Sequence, residues 1–469
     1  MKLALPKGRL LHSTNIFLKK IGLELRDYDE YSRSYRPQCC NLPDLSFKIF
    51  HEKDIPVQVA VGNYDLGICG LDWAEELLAK YPSSALIKMR NLGYGKRELY
   101  PVISKSSEIS SIEELKTRVE TIRIATEYPN LAEAFALNLR LRRFKIFPLW
   151  GSAEAYPPES ADLALICEKP TYDFWGNELV PLTSILQSSA FLIAHRNSME
   201  YEDIDALLRR FYAAGSVDEE EAESQVTKKS GKKRRVFVSR SPTLWFALPD
   251  GHQQQPALEF LNQSGVKVGN YSTKSRRPSI NLEGVGVKVI RPQDMPLQVA
   301  NQNFDIAITG QDWLYDHLYR FPSSPVKEIL ELGFGRVRIV AVVSNELPVN
   351  SLQDLRELLR KGTLPSLRIA SEYINIADKY AWDNHLSPYR LIPTWGASEV
   401  FLPEDADLLI ENVQTGQTLA RHKLKVIDTL FESSACLIGN VNISSESHKQ
   451  REIDNIVQIL RQALEAGKN

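Results

Sequence analysis

Short apolar runs alternate with segments of helical period along this chain. "KLAL" (2–5) is strand-like, and Leu10, Phe17, Leu18 and Ile21 then fall on one face of a helix that Gly22 would stop. "LSFKIF" (45–50), "DLGIC" (65–69), "YPVIS" (100–104), "IRIAT" (122–126) and "ADLALI" (161–166) read as further strands. "SSIEELKTRV" (110–119) carries a Ser-x-x-Glu capping box at Ser111 and Glu114, which predicts a helix start. Strands alternating with helices predict an α/β fold with parallel or mixed sheets, and sites at the carboxyl ends of the strands.

The pattern then repeats. "VQVAVGNYDLGICGLDW" (57–73) returns as "LQVANQNFDIAITGQDW" (297–313), and "RIATEYPNLA" (123–132) as "RIASEYINIA" (368–377). "LWGSAE" (149–154) returns as "TWGASE" (394–399), and "LQSSAFLI" (186–193) as "FESSACLI" (431–438). The offset is 240 at Asp65/Asp305 and 245 at Asp162/Asp407, so little has been inserted. A unit this long is a duplicated domain pair and not a short-period solenoid. The expected organisation is a first copy at 1–214, a charged linker at 215–240 and a second copy at 241–469. The linker "GSVDEEEAESQVTKKSGKKRR" runs from an acidic block to a basic one, which suits a solvated connector.

Composition narrows the function classes. With 57 Lys and Arg against 59 Asp and Glu the formal net charge is −2, which argues against a dedicated nucleic-acid binder or a membrane-surface protein. No run approaches the roughly 18 apolar residues of a membrane span, and only four residues separate Lys2 from Lys7, too few for a signal-peptide core. Five scattered cysteines make no disulfide framework and no metal spacing. The expectation is a soluble, cytoplasmic protein.

Several segments could carry chemistry. "IENVQTGQTLARHKL" (410–424) runs from a strand through a turn at Gly416 into a helix, offering backbone N–H groups, the hydroxyls of Thr415 and Thr418, and a helix N-terminus. That is a recipe for a phosphate cradle, although Thr-Gly before a helix is also an ordinary cap. Glu411, at the strand end, could accept hydrogen bonds from ribose hydroxyls. "ALPKGRL" (4–10) places Lys7 and Arg9 at a similar turn, whereas the second copy reads "ALPDGHQ" (247–253), with Asp250 and His252 in their places. "SRSYRP" (32–37) supplies Arg33 and Arg36, "RPQDMP" (291–296) Arg291, and "LGFGR" (332–336) Arg336. Guanidinium groups at strand ends pair well with phosphates, and each is equally a surface charge. Trp150 and Trp395 read as core before they read as adenine platforms.

Taken in order, "ALPKGRL", "SRSYRP", "RPQDMP", "DIAITGQDW", "LGFGR", "RIATEYPN", "WGSAE", "ADLLIENVQTGQTL" and "ESSACLI" resemble the catalytic portion of the ATP phosphoribosyltransferases, the family that opens histidine biosynthesis. The likeness covers most of both copies. It implies two tandem copies of a two-lobed unit like type II periplasmic binding proteins, each with its site in the cleft. The first lobe would comprise about 1–95 plus the tail after 178, the second about 96–177, with the same division at about 241–336 plus 422–469 and 337–421. The implied reaction joins N1 of ATP to C1 of the ribose of phosphoribosyl pyrophosphate, with Mg2+ as cofactor. Carried over residue by residue, the resemblance assigns the phosphoribosyl pyrophosphate contacts to Glu411, Thr415, Gly416, Gln417 and Thr418, where the family usually has Asp at the place of Glu411. It assigns the ATP and pyrophosphate contacts to Lys7, Arg9, Arg33, Arg36, Arg291 and Arg336. No catalytic acid or base and no metal ligand is assigned.

The copies diverge at these places. Pro170, Thr171 and Asp173 stand opposite Thr415, Gly416 and Thr418, and proline donates no N–H. The second copy keeps the loop but lacks the counterparts of Lys7 and Arg9. The expectation is one working site per tandem pair, with the copies forming an internal pseudo-dimer or the chain a homo-oligomer. Only about 30 residues follow Ile438, which resembles the short family form that works with a histidyl-tRNA-synthetase-like regulatory subunit. The alternative is a non-catalytic paralogue that senses a nucleotide or histidine.

Overall fold

The computed structural model describes residues 1–32, 34–39, 45–174, 178–200, 202–213, 242–271, 276–443 and 448–466. Arg33, Cys40 and the linker at 215–240 lie outside the described residues. The chain divides into two compact units. The first contains the described residues of Met1–Pro148, Ala161–Arg235 and Trp395–Val400; the second contains those of Leu149–Ser160, Val236–Thr394 and Phe401–Asn469. Leu149–Ser160, from the first copy's sequence, is thus built into the second unit.

Each unit has two large sheets and, among the described residues, a small two-stranded one. In the first unit one sheet runs Ser46–Phe50, Lys2–Pro6, Leu66–Gly70, Ala190–His195, Leu86–Asn91. The first three strands are parallel, and Ala190–His195 is antiparallel to both its neighbours. These strands read as nearly unbroken apolar runs because helices cover them. Leu11–Lys20 buries Leu11, Phe17 and Leu18 in the core against Leu3, Leu5 and Ile68. Gly22 then ends the run at φ 77°, a conformation that suits glycine.

The other sheet runs Leu179–Pro181, Arg97–Ser104, Leu163–Glu168, Ile122–Thr126, Phe144–Pro148, with Leu186–Ser188 also on Arg97–Ser104. The second unit repeats both arrangements. One sheet runs Val285–Ile290, Leu244–Pro249, Ile306–Gly310, Ala435–Asn440, Val326–Glu331; the other runs Tyr389–Pro393, Leu367–Ser371, Leu408–Val413, Val337–Ser344, Leu424–Ser433. Two α/β lobes crossed twice by the chain make the two-lobed, binding-protein-like unit that the resemblance implies.

Two expectations need adjustment. The tail does not return to the first lobe after 178: Leu179–Pro181 and Leu186–Ser188 still pair with the Arg97–Ser104 strand, and the return begins at Ala190. That pairing satisfies backbone groups the strand would otherwise expose at a sheet edge. The Ser111 cap forms, with Oγ accepting from Glu114 N at 3.3 Å, and the Glu114 carboxylate reaches back chiefly to Ser110 N, at 2.6 Å. The full reciprocal box appears in the second copy, at Ser351 and Asp354.

The segment exchange has a physical cause. Lys288, fully buried on the Val285–Ile290 strand, needs a counter-charge, and Glu159 Oε2 supplies it at 2.8 Å. The Lys288 ammonium also reaches Tyr156 O at 3.3 Å and lies 4.7 Å from the Trp245 ring centroid. Arg277 grips the same carboxylate at 2.8 and 2.9 Å. Burial alone would push Glu159 up; Arg277 and Lys288 hold it down to about 2. Cys69, Cys167 and Cys436 are buried free thiols, and among the described residues no helix is long and apolar enough to cross a membrane.

Candidate active site

In the second unit the Leu408–Val413 strand delivers the loop predicted to hold phosphate. Glu411 and Asn412 sit at its end, Gln414 and Thr415 form an exposed bend, and Gly416 adopts φ 75°, ψ 0° as the residue before a short helix, Gln417–Arg421. No side chain caps this helix. Its first intrahelical bond runs from Ala420 N to Gly416 O, so the preceding N–H groups have no intrahelical partner, as at any helix start. Leu419, 6% exposed, pins the turn to the lobe, while Thr415, Gln417 and Thr418 are exposed. Glu411, Thr415, Gly416, Gln417 and Thr418 are therefore together on one accessible strand end and turn.

The first copy has a different device at this place. The Leu163–Glu168 strand ends in a turn closed by Tyr172 N to Lys169 O, and Phe174 folds inward to 6% exposure. Phe174 packs edge-on against Tyr100 at 5.3 Å and Tyr172 at 4.8 Å. An aromatic plug stands where the second copy has the exposed turn at Gly416.

The basic residues are distributed among several partners. Lys7 is exposed, its Nζ donating to the Tyr35 hydroxyl at 3.1 Å, beside the turn that carries Arg36. Arg9 is committed inside the first lobe, with Nε on Glu52 at 3.0 Å and Nη2 on Asp72 at 2.9 Å. In the second unit Asp250, standing where the first copy has Lys7, accepts from Arg276 at 2.9 Å and from Arg291 at 3.4 Å. Arg276 also bonds Glu154, from the exchanged segment, at 2.7 Å. Arg336 is exposed and donates to Gly333 O at 3.3 Å. Trp150 lies 5.9 Å from Trp313, ring to ring, and its backbone N–H donates to Asp294 Oδ1 at 3.0 Å.

Charge identified candidates but not partners, so the sequence did not single out Asp72, Asp312, Tyr128, Tyr373 or Arg276. The repeated "LDW"/"QDW" and "TEYP"/"SEYI" were the available signal. Asp72 and Asp312 start helices of the first lobes, and each accepts a tyrosine hydroxyl from the second lobe of its own unit. Tyr128 lies at 2.7 Å from Asp72 and Tyr373 at 2.6 Å from Asp312. Trp73 and Trp313 stack on those tyrosines at 4.3 and 4.2 Å. Glu76 and Asp316, one turn later, cap the facing helices at Asn130 N and Asn375 N. Each unit's lobes are latched by the same set.

The electrostatics of the two latches differ. Burial alone would raise Asp72, but Arg9, with Ser188 and Tyr128, holds it below the usual carboxylate range. Burial also acts on Asp312, which has Tyr373 and Ser433 as donors and lies above its ordinary value. Gln253, not an arginine, approaches Gly310 beside Asp312, as Arg9 approaches Gly70 beside Asp72. Lys53 bridges the first unit's lobes to Glu127 at 2.8 Å, and the matching position in the second is Gln293. Asp72→Asn is expected to cost about 2 kcal/mol, because it leaves Arg9 short of a counter-charge. Asp312→Asn is expected to stay within about 1 kcal/mol, and urea unfolding of the two variants checks the difference.

Comparison with known proteins now adds to this geometry. The sequence profile of the ATP phosphoribosyltransferases matches residues 51–213 and again 291–462. The chain belongs to the ATP phosphoribosyltransferase family. It is 30% identical over 230 residues to the ATP phosphoribosyltransferase of Prosthecochloris aestuarii, covering 48% of this chain and 72% of that one. It is 31% identical over 223 residues to that of Sulfolobus acidocaldarius, covering 47% and 73%. Among solved structures, the ATP phosphoribosyl transferase (HisG:HisZ) complex from Thermotoga maritima aligns at a TM-score of 0.39 and 19% identity, over 48% of this chain and 100% of that one. The two profile matches fall in the two copies, so this is a member of the family in tandem form.

Proposed function

We propose that the protein transfers the phosphoribosyl group of phosphoribosyl pyrophosphate to N1 of ATP, with one working site per tandem pair, in the second copy. The carrying observation is the outward-facing turn at Gly416, set against the aromatic plug around Phe174 at the corresponding place in the first copy. Thr415 to Thr418 would hold the 5′-phosphate through N–H groups and hydroxyls. Glu411 would accept from the ribose hydroxyls.

The chemistry asks for no covalent nucleophile. The bond from C1 to the pyrophosphate oxygen breaks as the bond from N1 of ATP forms, through an oxocarbenium-like state, and pyrophosphate leaves with the bonding pair. The need is to stabilise charge developing on the leaving group. Lys7, Arg9, Arg33, Arg36, Arg291 and Arg336 are the basic groups proposed for ATP and pyrophosphate, and Arg9 and Arg291 would first have to exchange the carboxylates that hold them. Among the described residues no cluster of His, Cys, Asp or Glu could hold a metal. Mg2+, which favours phosphate oxygens and retained waters, would enter on the pyrophosphate and neutralise part of its charge.

The wider reading keeps the copies at 1–214 and 241–469 with a charged linker at 215–240. It places the protein in the cytoplasm, as an internal pseudo-dimer or homo-oligomer, in the first step of histidine biosynthesis. A histidyl-tRNA-synthetase-like subunit would be its regulatory partner.

One observation favours a second reading. Asp250 already engages Arg276 and Arg291, two of the second copy's basic groups, which suits a non-catalytic nucleotide or histidine sensor. Purified protein with ATP, phosphoribosyl pyrophosphate and Mg2+ is expected to form phosphoribosyl-ATP, followed by its absorbance. Turnover that survives in Lys7→Ala but is lost in Thr415→Ala would make the second copy self-sufficient, and loss in both would make the site composite. No turnover, even with the regulatory subunit added, would leave the sensor.

A further inference from the structure

The Asp312 latch continues into an amide where the Asp72 latch meets a thiol. The Tyr373 hydroxyl donates to Asp312 Oδ2 at 2.6 Å and accepts from Asn412 Nδ2 at 2.9 Å. Asn412 follows Glu411, and its backbone N–H bonds the Glu411 carboxylate at 2.9 Å. Three residues on, Thr415 opens the loop. Ser371 ties the same tyrosine in from behind, accepting from Tyr373 N at 2.8 Å and donating to Ile410 O at 2.7 Å. The path from a first-lobe carboxylate to the strand end that bears the loop is unbroken, and Tyr373 in its middle is 1% exposed. In the first copy the corresponding residue is Cys167, a buried thiol that hydrogen-bonds Tyr128 and carries no amide.

We propose that Tyr373 and Asn412 are positioning residues for the phosphoribosyl donor. Asp312 fixes the Tyr373 hydroxyl, the hydroxyl fixes the Asn412 amide, and the amide sets the strand end carrying Glu411 and the loop at Thr415–Thr418. Donor affinity is thereby coupled to contact between the lobes of the second unit. This rests on the reading that the Gly416 loop holds the donor's phosphate.

Calorimetric binding of phosphoribosyl pyrophosphate to the full chain tests both. Tyr373→Phe keeps the ring that stacks on Trp313, and Asn412→Ala removes the amide outright. Each is expected to weaken donor binding about tenfold, the scale of one lost hydrogen bond to a buried polar group. Tyr373→Phe also takes a donor from buried Asp312 and should lower the melting temperature by a few degrees. The Asn412 variant should keep the parent's melting temperature, and ATP affinity should hold in both. Because both act on one path, the double variant should bind no more weakly than the weaker single variant. Tyr128→Phe, in the first copy, should leave donor binding unchanged. Donor affinity within twofold of the parent in both variants, with Thr415→Ala still defective, would overturn the positioning role alone. A Thr415→Ala variant that binds normally, or a parent chain that binds no donor, would overturn the loop assignment and this inference with it. Additive losses accompanied by a lower melting temperature in the Asn412 variant would mean the pair only supports the fold.

Discussion

Gly416→Pro is expected to lower kcat/KM for phosphoribosyl pyrophosphate by about a thousandfold, the scale seen when preorganised donors are removed from a developing charge. Gly416 lies at φ 75°, and proline fixes φ near −65°. The turn would have to unwind, carrying the N–H groups of Gln417 and Thr418 away from the strand end. Nothing but Val413 comes within 4 Å of where a Cβ would stand, so the loss would come from backbone angle and not from crowding. The loop is exposed and its helix spans five residues, so the melting temperature should barely move. Gly416→Ala, strained only by the left-handed angle, should lose far less. Steady-state kinetics with thermal unfolding on the same samples separates a lost cradle from a lost fold. A Gly416→Pro enzyme that keeps its kcat/KM would contradict the assignment.

Glu159→Gln carries the largest expected effect on stability. It leaves the Lys288 ammonium fully buried without its counter-charge and removes half of Arg277's pairing. Breaking a buried pair from one side costs about 3–5 kcal/mol. Replacing both partners, in Lys288→Met/Glu159→Gln, should recover much of that, because no charge is then stranded. The pH dependence has a definite sign. Glu159 is held at about 2 in the folded chain against an ordinary 4.5. Its contribution is therefore fully present above about pH 4.5 and is lost as the pH falls toward 2. Urea midpoints of parent and Glu159→Gln should differ by a constant amount from pH 8 to 5 and converge in acid. A gap that widened in acid would contradict the pairing.

Local periodicity carried much of the architecture. The Lys2–Pro6, Ile122–Thr126 and Leu163–Glu168 strands and the Gly22 stop were legible because apolar spacing and a left-handed turn are properties of a few adjacent residues. The tandem repeat was legible for the same reason, twice over. The membership of Leu149–Ser160 in the second unit was not, since a duplicated sequence does not say which copy's buried lysine a glutamate will neutralise. Charge at a strand end had the same limit. Arg9 read as an anion contact, but its guanidinium is engaged by Glu52 and Asp72; Asp250 read as a lost cation, and it serves as the partner of Arg276 and Arg291. Arg276 lies in "TKSRRP" (273–278), the counterpart of "SRSYRP", and its pairing with Asp250 and Glu154 was not legible in that motif. The divergence between "TGQT" and "PTYD" was visible in the letters, while the aromatic packing of Phe174 that accompanies it required the third dimension.

The most direct test of the account is the number of donor molecules the chain binds. Calorimetric titration of the purified full chain with phosphoribosyl pyrophosphate and Mg2+ should give one equivalent per chain, abolished by Gly416→Pro. Two equivalents would mean that the first copy, plug and all, also holds the donor. Binding that survives Gly416→Pro would place the phosphate elsewhere. Either result would contradict a single working site at the Gly416 loop.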